Sequence, residues 1–142
     1  MARLDVTGID DILRDFNKWS DPAAVNQAAV KAVDAASPGV AAEMSSAIAS
    51  VEHGPYATGS VSRSVKATKA KTNAYGVFSV SRPTGRDKKG KRNAEKAAYL
   101  QYGTPNMPAR PWAEKATRKA EQKATEALEN VFCDAMGIDR EG

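Results

Sequence analysis

The sequence has one cysteine, one histidine and an aromatic content of only 6%. Each shortage excludes something. A lone thiol, Cys133, forms no internal disulfide. It sits beside Phe132 in an apolar helical run and reads as a buried, inert side chain. A zinc site draws on several Cys or His ligands, and a His-based triad needs a nucleophile and an orienting acid beside the imidazole. His53, in "VEHGPY", matches neither pattern. It reads instead as a group satisfying carbonyls at a helix end. No apolar run approaches the roughly 18–20 residues of a membrane span. Met1 to Asp10 is polar, without the apolar stretch of a signal peptide. The expectation is a soluble protein made in a cytoplasm, with no membrane partner. Also missing are a P-loop, a G-x-G-x-x-G after a strand, an H-E-x-x-H and a G-x-S-x-G. The serines of "YATGSVSRS" have no neighbouring base. No catalytic residue, metal or cofactor is therefore expected, and the chain is not read as an enzyme.

What is present fits one domain of 142 residues. "GIDDILRDFNKW", Gly8 to Trp19, places Ile9, Ile12, Leu13 and Phe16 at helical spacing. "WSDPAA" follows, with Ser20 or Asp21 as N-cap and Pro22 at the first helical position. A long stripe then runs through Val25, Ala29, Ala32, Val33, Ala36, Val40, Met44, Ile48 and Val51. Pro38-Gly39 interrupts it without changing its phase. The pattern predicts one helix kinked at Pro38, or two collinear helices with Ser37 capping the second. Past the turn cluster "HGPYATGS", Thr58 or Ser60 is expected to cap, and Gly59 to supply an unusual backbone angle. One helical turn and a strand over Val65 to Lys71 follow. Asn73-Ala74 would turn the hairpin into "NAYGVFSVSR", with Tyr75 and Val77 on one face and Phe78 and Val80 on the other.

A short helix capped by Asn93 and stopped by Gly103 is expected next. The loop "TPNMPARP" is pinned by Pro105, Pro108 and Pro111, and Pro111 opens a last helix ending at Gly137. Residues 137–142 read as a frayed tail. The order implies an α+β fold, with a long N-terminal helix and a C-terminal helix packed on a small antiparallel sheet. Two strands alone are marginal, so further strands or other chains would complete that sheet. Within "YLQYGTPNMPARPW", Tyr99 and Tyr102 are expected to anchor the short helix. Thr104 would cap the proline loop, Trp112 would bury against the sheet, and Arg110 would be held ready for a bidentate partner.

Charge is concentrated. Residues 82–96 carry seven cations (Arg82, Arg86, Lys88, Lys89, Lys91, Arg92 and Lys96) against Asp87 and Glu95, a net +5 in a chain of +4. This segment reads as a flexible basic loop, too rich in Gly and Lys to pack. Three readings stay open: a solvated loop, a contact with a neighbouring subunit's acidic surface, or sequence-independent contact with DNA phosphates.

Two segments together carry a family likeness. "TGSVSRSV", Thr58 to Val65, and "AAYLQYGTPNMPARPWAEKA", Ala97 to Ala116, resemble the small tail-completion, or head–tail joining, proteins of long-tailed bacteriophages. The resembling features are a Thr-Gly pattern after a long helix, then Tyr102-Gly103-Thr104 and Pro108-Ala109-Arg110-Pro111-Trp112 leading into a C-terminal helix. The likeness spans roughly Asp21 to Phe132. Where the family often has an acid before the aromatic-Gly-Thr, this chain has Gln101. The resemblance implies a virion protein at the head–tail junction, assembling as a hexameric or dodecameric ring in the host cytoplasm. Its implied partners are copies of itself, the connector or stopper, the tail tube or tail terminator, and genomic DNA in the lumen.

Overall fold

The computed structural model describes residues 17, 19–54 and 57–138. Most of the helix expected over Gly8 to Trp19 lies outside them, as does the tail beyond Ile138. The order of elements is α1 (Pro22–Val51), α2 (Ser60–Arg63), β1 (Val65–Ala67), β2 (Lys71–Asn73), β3 (Gly76–Phe78), β4 (Ser81–Pro83), α3 (Asn93–Tyr102) and α4 (Ala113–Met136). The architecture is the expected α+β: α1 and α4 pack along each other, and the strands lie against α1.

Helix α1 starts where its signals place it. Asp21 accepts a hydrogen bond from the Ala23 N–H at 3.0 Å, and Pro22 occupies the first turn. The helix continues through Pro38 as one 30-residue element. Proline lacks the N–H that would bond the carbonyl of Asp34, four residues back. The Ser37 hydroxyl donates to that carbonyl at 3.3 Å. Pro38 itself points to solvent while Ser37 is buried, so the ring is accommodated outside and the orphaned acceptor is satisfied inside. Ser37 therefore repairs one helix; it does not cap a second.

The core is thin. Among the described residues seven of the eleven buried apolar side chains are alanine, and only Ile48 and Met136 are both large and fully buried. Alanines let α1 and α4 approach closely but remove little area from water. One cluster of larger side chains, Ile48, Val61 and Leu100, closes around Ala97 and is flanked by Met44, Val51, Val65, Met107 and Trp112. Cys133 is half-buried, where burial was expected, because the end of α4 is covered only in part.

The strands form one long hairpin in two pieces. β1 pairs β4 with Val65 opposite Pro83, and β2 pairs β3 with Lys71 opposite Phe78. Between the pieces three residues, Thr68 to Ala70, face only two, Ser79 and Val80. The extra residue is a β-bulge. It is stitched by the Thr68 hydroxyl, which accepts from the Val80 N–H at 3.0 Å, and by the Ser79 hydroxyl, which donates to the Thr68 carbonyl. The turn falls at Ala74-Tyr75, one residue later than expected. Asn73 does not occupy the turn's centre: its side-chain oxygen accepts from the N–H groups of Tyr75 and Gly76, and Gly76 takes the positive φ of 138°. Tyr75 consequently stands at the tip, 99% exposed, and covers neither face. The strand expected over Val65 to Lys71 is thereby split at the bulge.

Candidate functional site

The two segments that carry the family likeness are far apart in sequence and meet in space at the end of α1. Helix α1 closes with Glu52 as C-cap. The Glu52 carboxylate accepts from the N–H groups of Val61 and Ser62, at 3.2 and 3.1 Å. It thus supplies the acceptors that the first turn of α2 lacks. Thr58 and Ser60, the expected caps, do not. Thr58 contributes its carbonyl, which accepts from the Arg63 guanidinium. Gly59 has the left-handed backbone expected of it, with φ 73°. The Ser45 hydroxyl donates to the Ser62 carbonyl at 2.7 Å and fastens α2 to α1.

The second segment is locked to the first through Arg110. Its guanidinium Nη1 donates to the carbonyls of Val51 and His53, at 3.3 and 3.0 Å. These are carbonyls at the end of α1, where a cation also meets the negative pole of the helix dipole. Arg110 thus takes the role expected for the His53 imidazole and is engaged within its own chain rather than held ready for a partner. The Arg110 N–H donates to the Leu100 carbonyl at 2.7 Å.

Gly103 turns the chain between α3 and this loop with φ 79° and ψ 174°. A Cβ there would lie 2.7 Å from the Ala109 nitrogen and 3.0 Å from the Met107 carbonyl oxygen. Thr104 and Met107 exchange backbone hydrogen bonds, and the Thr104 hydroxyl accepts from the Asn106 N–H at 3.3 Å, as expected for a loop cap. Pro105, Pro108 and Pro111 hold the exposed path around this turn.

Gln101 and Trp112 complete the joint. Gln101 Oε1 accepts from the backbone N–H groups of both Trp112 and Ala113, each at 2.9 Å. It caps α4, which begins at Ala113, two residues after Pro111. An acid at this position would make the same two bonds with a full negative charge at a helix N-terminus. Gln101→Ala is expected to lower stability by about 1–2 kcal/mol. Gln101→Glu is expected to raise it by about 0.3–1 kcal/mol. Urea midpoints at neutral pH measure both, and a glutamate variant no more stable than the alanine one would contradict the capping role. The Trp112 indole N–H donates to the Ala97 carbonyl at 2.9 Å. The ring packs on α3 and the Ile48–Leu100 cluster, not on the sheet. The tyrosines also depart from expectation. Tyr99 is 41% exposed and Tyr102 80% exposed. Ala97 and Leu100 hold the short helix instead, and Lys91 lies 5.8 Å from the centre of the Tyr99 ring.

The basic segment has more order than a Lys-rich loop suggests. Arg82 and Pro83 belong to β4, and residues 93–96 to the first turn of α3. Asn93 begins that helix, but its side chain is turned back to donate to the Thr84 carbonyl at 2.8 Å. Residues between are closed around Asp87. One Asp87 carboxylate oxygen accepts from the N–H groups of Lys89 and Lys91, at 2.9 and 2.8 Å, and the other pairs with Lys96 at 2.5 Å. Arg86 Nη1 donates to the Gly90 carbonyl at 2.9 Å. Lys96, and then the two backbone donors, hold the Asp87 carboxyl below the usual carboxylate range, against the opposing pull of desolvation. A lowered pKa stabilises the turn above the ordinary carboxylate range, and that stabilisation is lost as pH falls through the lowered value. Amide exchange at Lys89 and Lys91 is therefore expected to quicken as acid protonates Asp87, beyond the intrinsic pH trend. Asp87→Asn is expected to remove this extra dependence; an unaltered profile would contradict it.

Glu43 and Lys123 join α1 to α4, and this contact lowers the Glu43 pKa. Among the described residues, no three His, Cys, Asp or Glu side chains gather as a metal site, and no helix is long and apolar enough to cross a membrane. The joint and the basic turn are the two features on which a functional reading rests. Compared with known proteins, the chain matches no family model, no curated protein and no solved structure.

Proposed function

We propose that this chain is a structural virion protein of a long-tailed bacteriophage. In this reading it completes the tail, or joins it to the capsid connector, by assembling into a ring at the head–tail junction. It acts by self-association and docking, without catalysis. One observation carries the reading: the two segments that resemble tail-completion proteins form a single joint. Glu52 holds the Thr-Gly segment, Arg110 holds the Pro-Ala-Arg-Pro segment, and both grip the end of α1. That the two segments resemble one family in order along the chain and also interlock in space supports reading them as one unit. The strands add support. Among the described residues each strand has one paired neighbour, so every strand offers an unpaired edge to which another subunit can add.

Electron microscopy of particles assembled without this protein tests the proposal. Separate filled heads and unjoined tails are expected. Joined, infective particles in its absence would overturn it.

A further inference from the structure

We propose that the hairpin and the Asp87 turn together form a cationic arm that binds the phosphate backbone of double-stranded DNA without reading its sequence. Nine Lys and Arg side chains lie between residues 65 and 92, with Asp87 the one acid, a net +8 that leaves −4 for the rest of the chain. All nine cations are exposed. Asp87 does not neutralise the arm from outside, because its carboxylate is turned inward to Lys89 N–H, Lys91 N–H and the Lys96 side chain.

The arrangement is also unfavourable for the isolated fold. Lys66 stands directly opposite Arg82 across the β1–β4 pair, and like charges in that position repel. From Phe78 to Pro83 exposed and part-buried residues alternate strictly, which puts Phe78, Val80 and Arg82 on the outer face. Lys71 pairs with Phe78 and Lys66 with Arg82, so both lysines share that face. They are five residues apart, an odd step that only the bulge reconciles. The outward cations from one pair to the other cover about 13 Å of strand at ~3.3 Å per residue. The turn adds Arg86, Lys88, Lys89, Lys91 and Arg92 beyond. Duplex DNA carries one charge per ~1.7 Å of axis. A linear polyanion of that density matches an arm with this charge and length better than a folded protein surface, where acids are interspersed with bases.

This contact does not depend on ring assembly; a single subunit carries the whole arm. The test is fluorescence anisotropy of a short labelled duplex with the full chain, between about 50 and 200 mM salt. Wild-type binding is expected to weaken steeply with salt. The triple variant K66Q/K71Q/R82Q is expected to bind at least tenfold more weakly at the lower salt, and to flatten the log–log slope by up to about 2.7, or ~0.9 per cation removed. Circular dichroism confirms that the variant is folded. Absence of duplex binding at the lowest salt overturns the proposal. So does an unchanged slope in the variant. So does competition by polyglutamate as effective as by unlabelled duplex, which would assign the arm to an acidic protein surface. The two proposals fail separately: loss of DNA binding leaves the joining role to the particle experiment, and joined particles without this protein leave the arm's DNA binding intact.

Discussion

Gly103→Ala is expected to lower the melting temperature by roughly 10 °C, a loss of about 3 kcal/mol or more. Two independent causes add. The backbone at φ 79°, ψ 174° lies in a region that only glycine occupies without strain, at about 1–3 kcal/mol for other residues. The new methyl would also meet backbone, not a movable side chain: the Ala109 nitrogen at 2.7 Å and the Met107 carbonyl oxygen at 3.0 Å. Relief requires the loop to move off α3. The loop cannot do so cheaply, because the Arg110 N–H is bonded to the Leu100 carbonyl and the Arg110 guanidinium to the end of α1. Differential scanning calorimetry measures the effect. A shift within about 2 °C of the wild type would show that the loop relaxes freely and that the joint is not rigid.

Trp112→Ala is expected to cost about 3 kcal/mol, the low end for truncating a large aromatic because the ring is half-buried. In most domains of this size that loss would be spread over a larger core. Here alanines dominate the buried set, and Trp112 is among the few large side chains packed on the Ile48–Leu100 cluster. Trp112→Phe separates packing from hydrogen bonding. It keeps most of the ring and removes the donor to the Ala97 carbonyl, for an expected loss of about 1–2 kcal/mol. Denaturant midpoints should rank wild type above phenylalanine above alanine. Equal losses in both variants would assign the whole effect to the N–H, and unchanged melting in the alanine variant would rule out a core role for the ring.

The helices were legible because their signals repeat along the chain. The Asp21-Pro22 start, the three- and four-residue steps of α1 and the Gly137 stop each restate the same element. Ser37 shows how far local reasoning reaches. The Ser-Pro pair signals a helix start, yet the same hydroxyl can mend a continuing helix by bonding the Asp34 carbonyl, and packing decides between them. The hairpin turn slipped by one residue because Asn73 can sit in a turn or open one. The joint was half legible. Its loop chemistry, at Gly103 and Thr104, is local and could be read from neighbours. Its fasteners were hidden, because Glu52, Gln101 and Arg110 act on backbone groups distant in sequence. A carboxylate, an amide and a guanidinium advertise what they can bond, but not which chain end folding brings to them. The tyrosines misled for a related reason. Tyr99 and Tyr102 are three apart and share the outer side of α3, while Ala97 and Leu100, also three apart, take the inner one.

The β-bulge sets a rule for how this hairpin can change length. Strand faces alternate with period two, and the bulge absorbs the extra residue among Thr68 to Ala70, so the base and the tip of the arm stay in one phase. Removing one residue there would leave two residues facing two, a regular ladder in which Lys71 still lies opposite Phe78 and the phase survives without the bulge. Removing two would invert everything beyond on that strand, turning Thr72 outward and Lys71 toward α1, and would break the Thr72–Asn26 hydrogen bond at 3.3 Å. The segment can therefore lose its one extra residue and keep its faces, but a loss of two reverses them, a constraint that is absent from the exposed turn between Thr84 and Arg92.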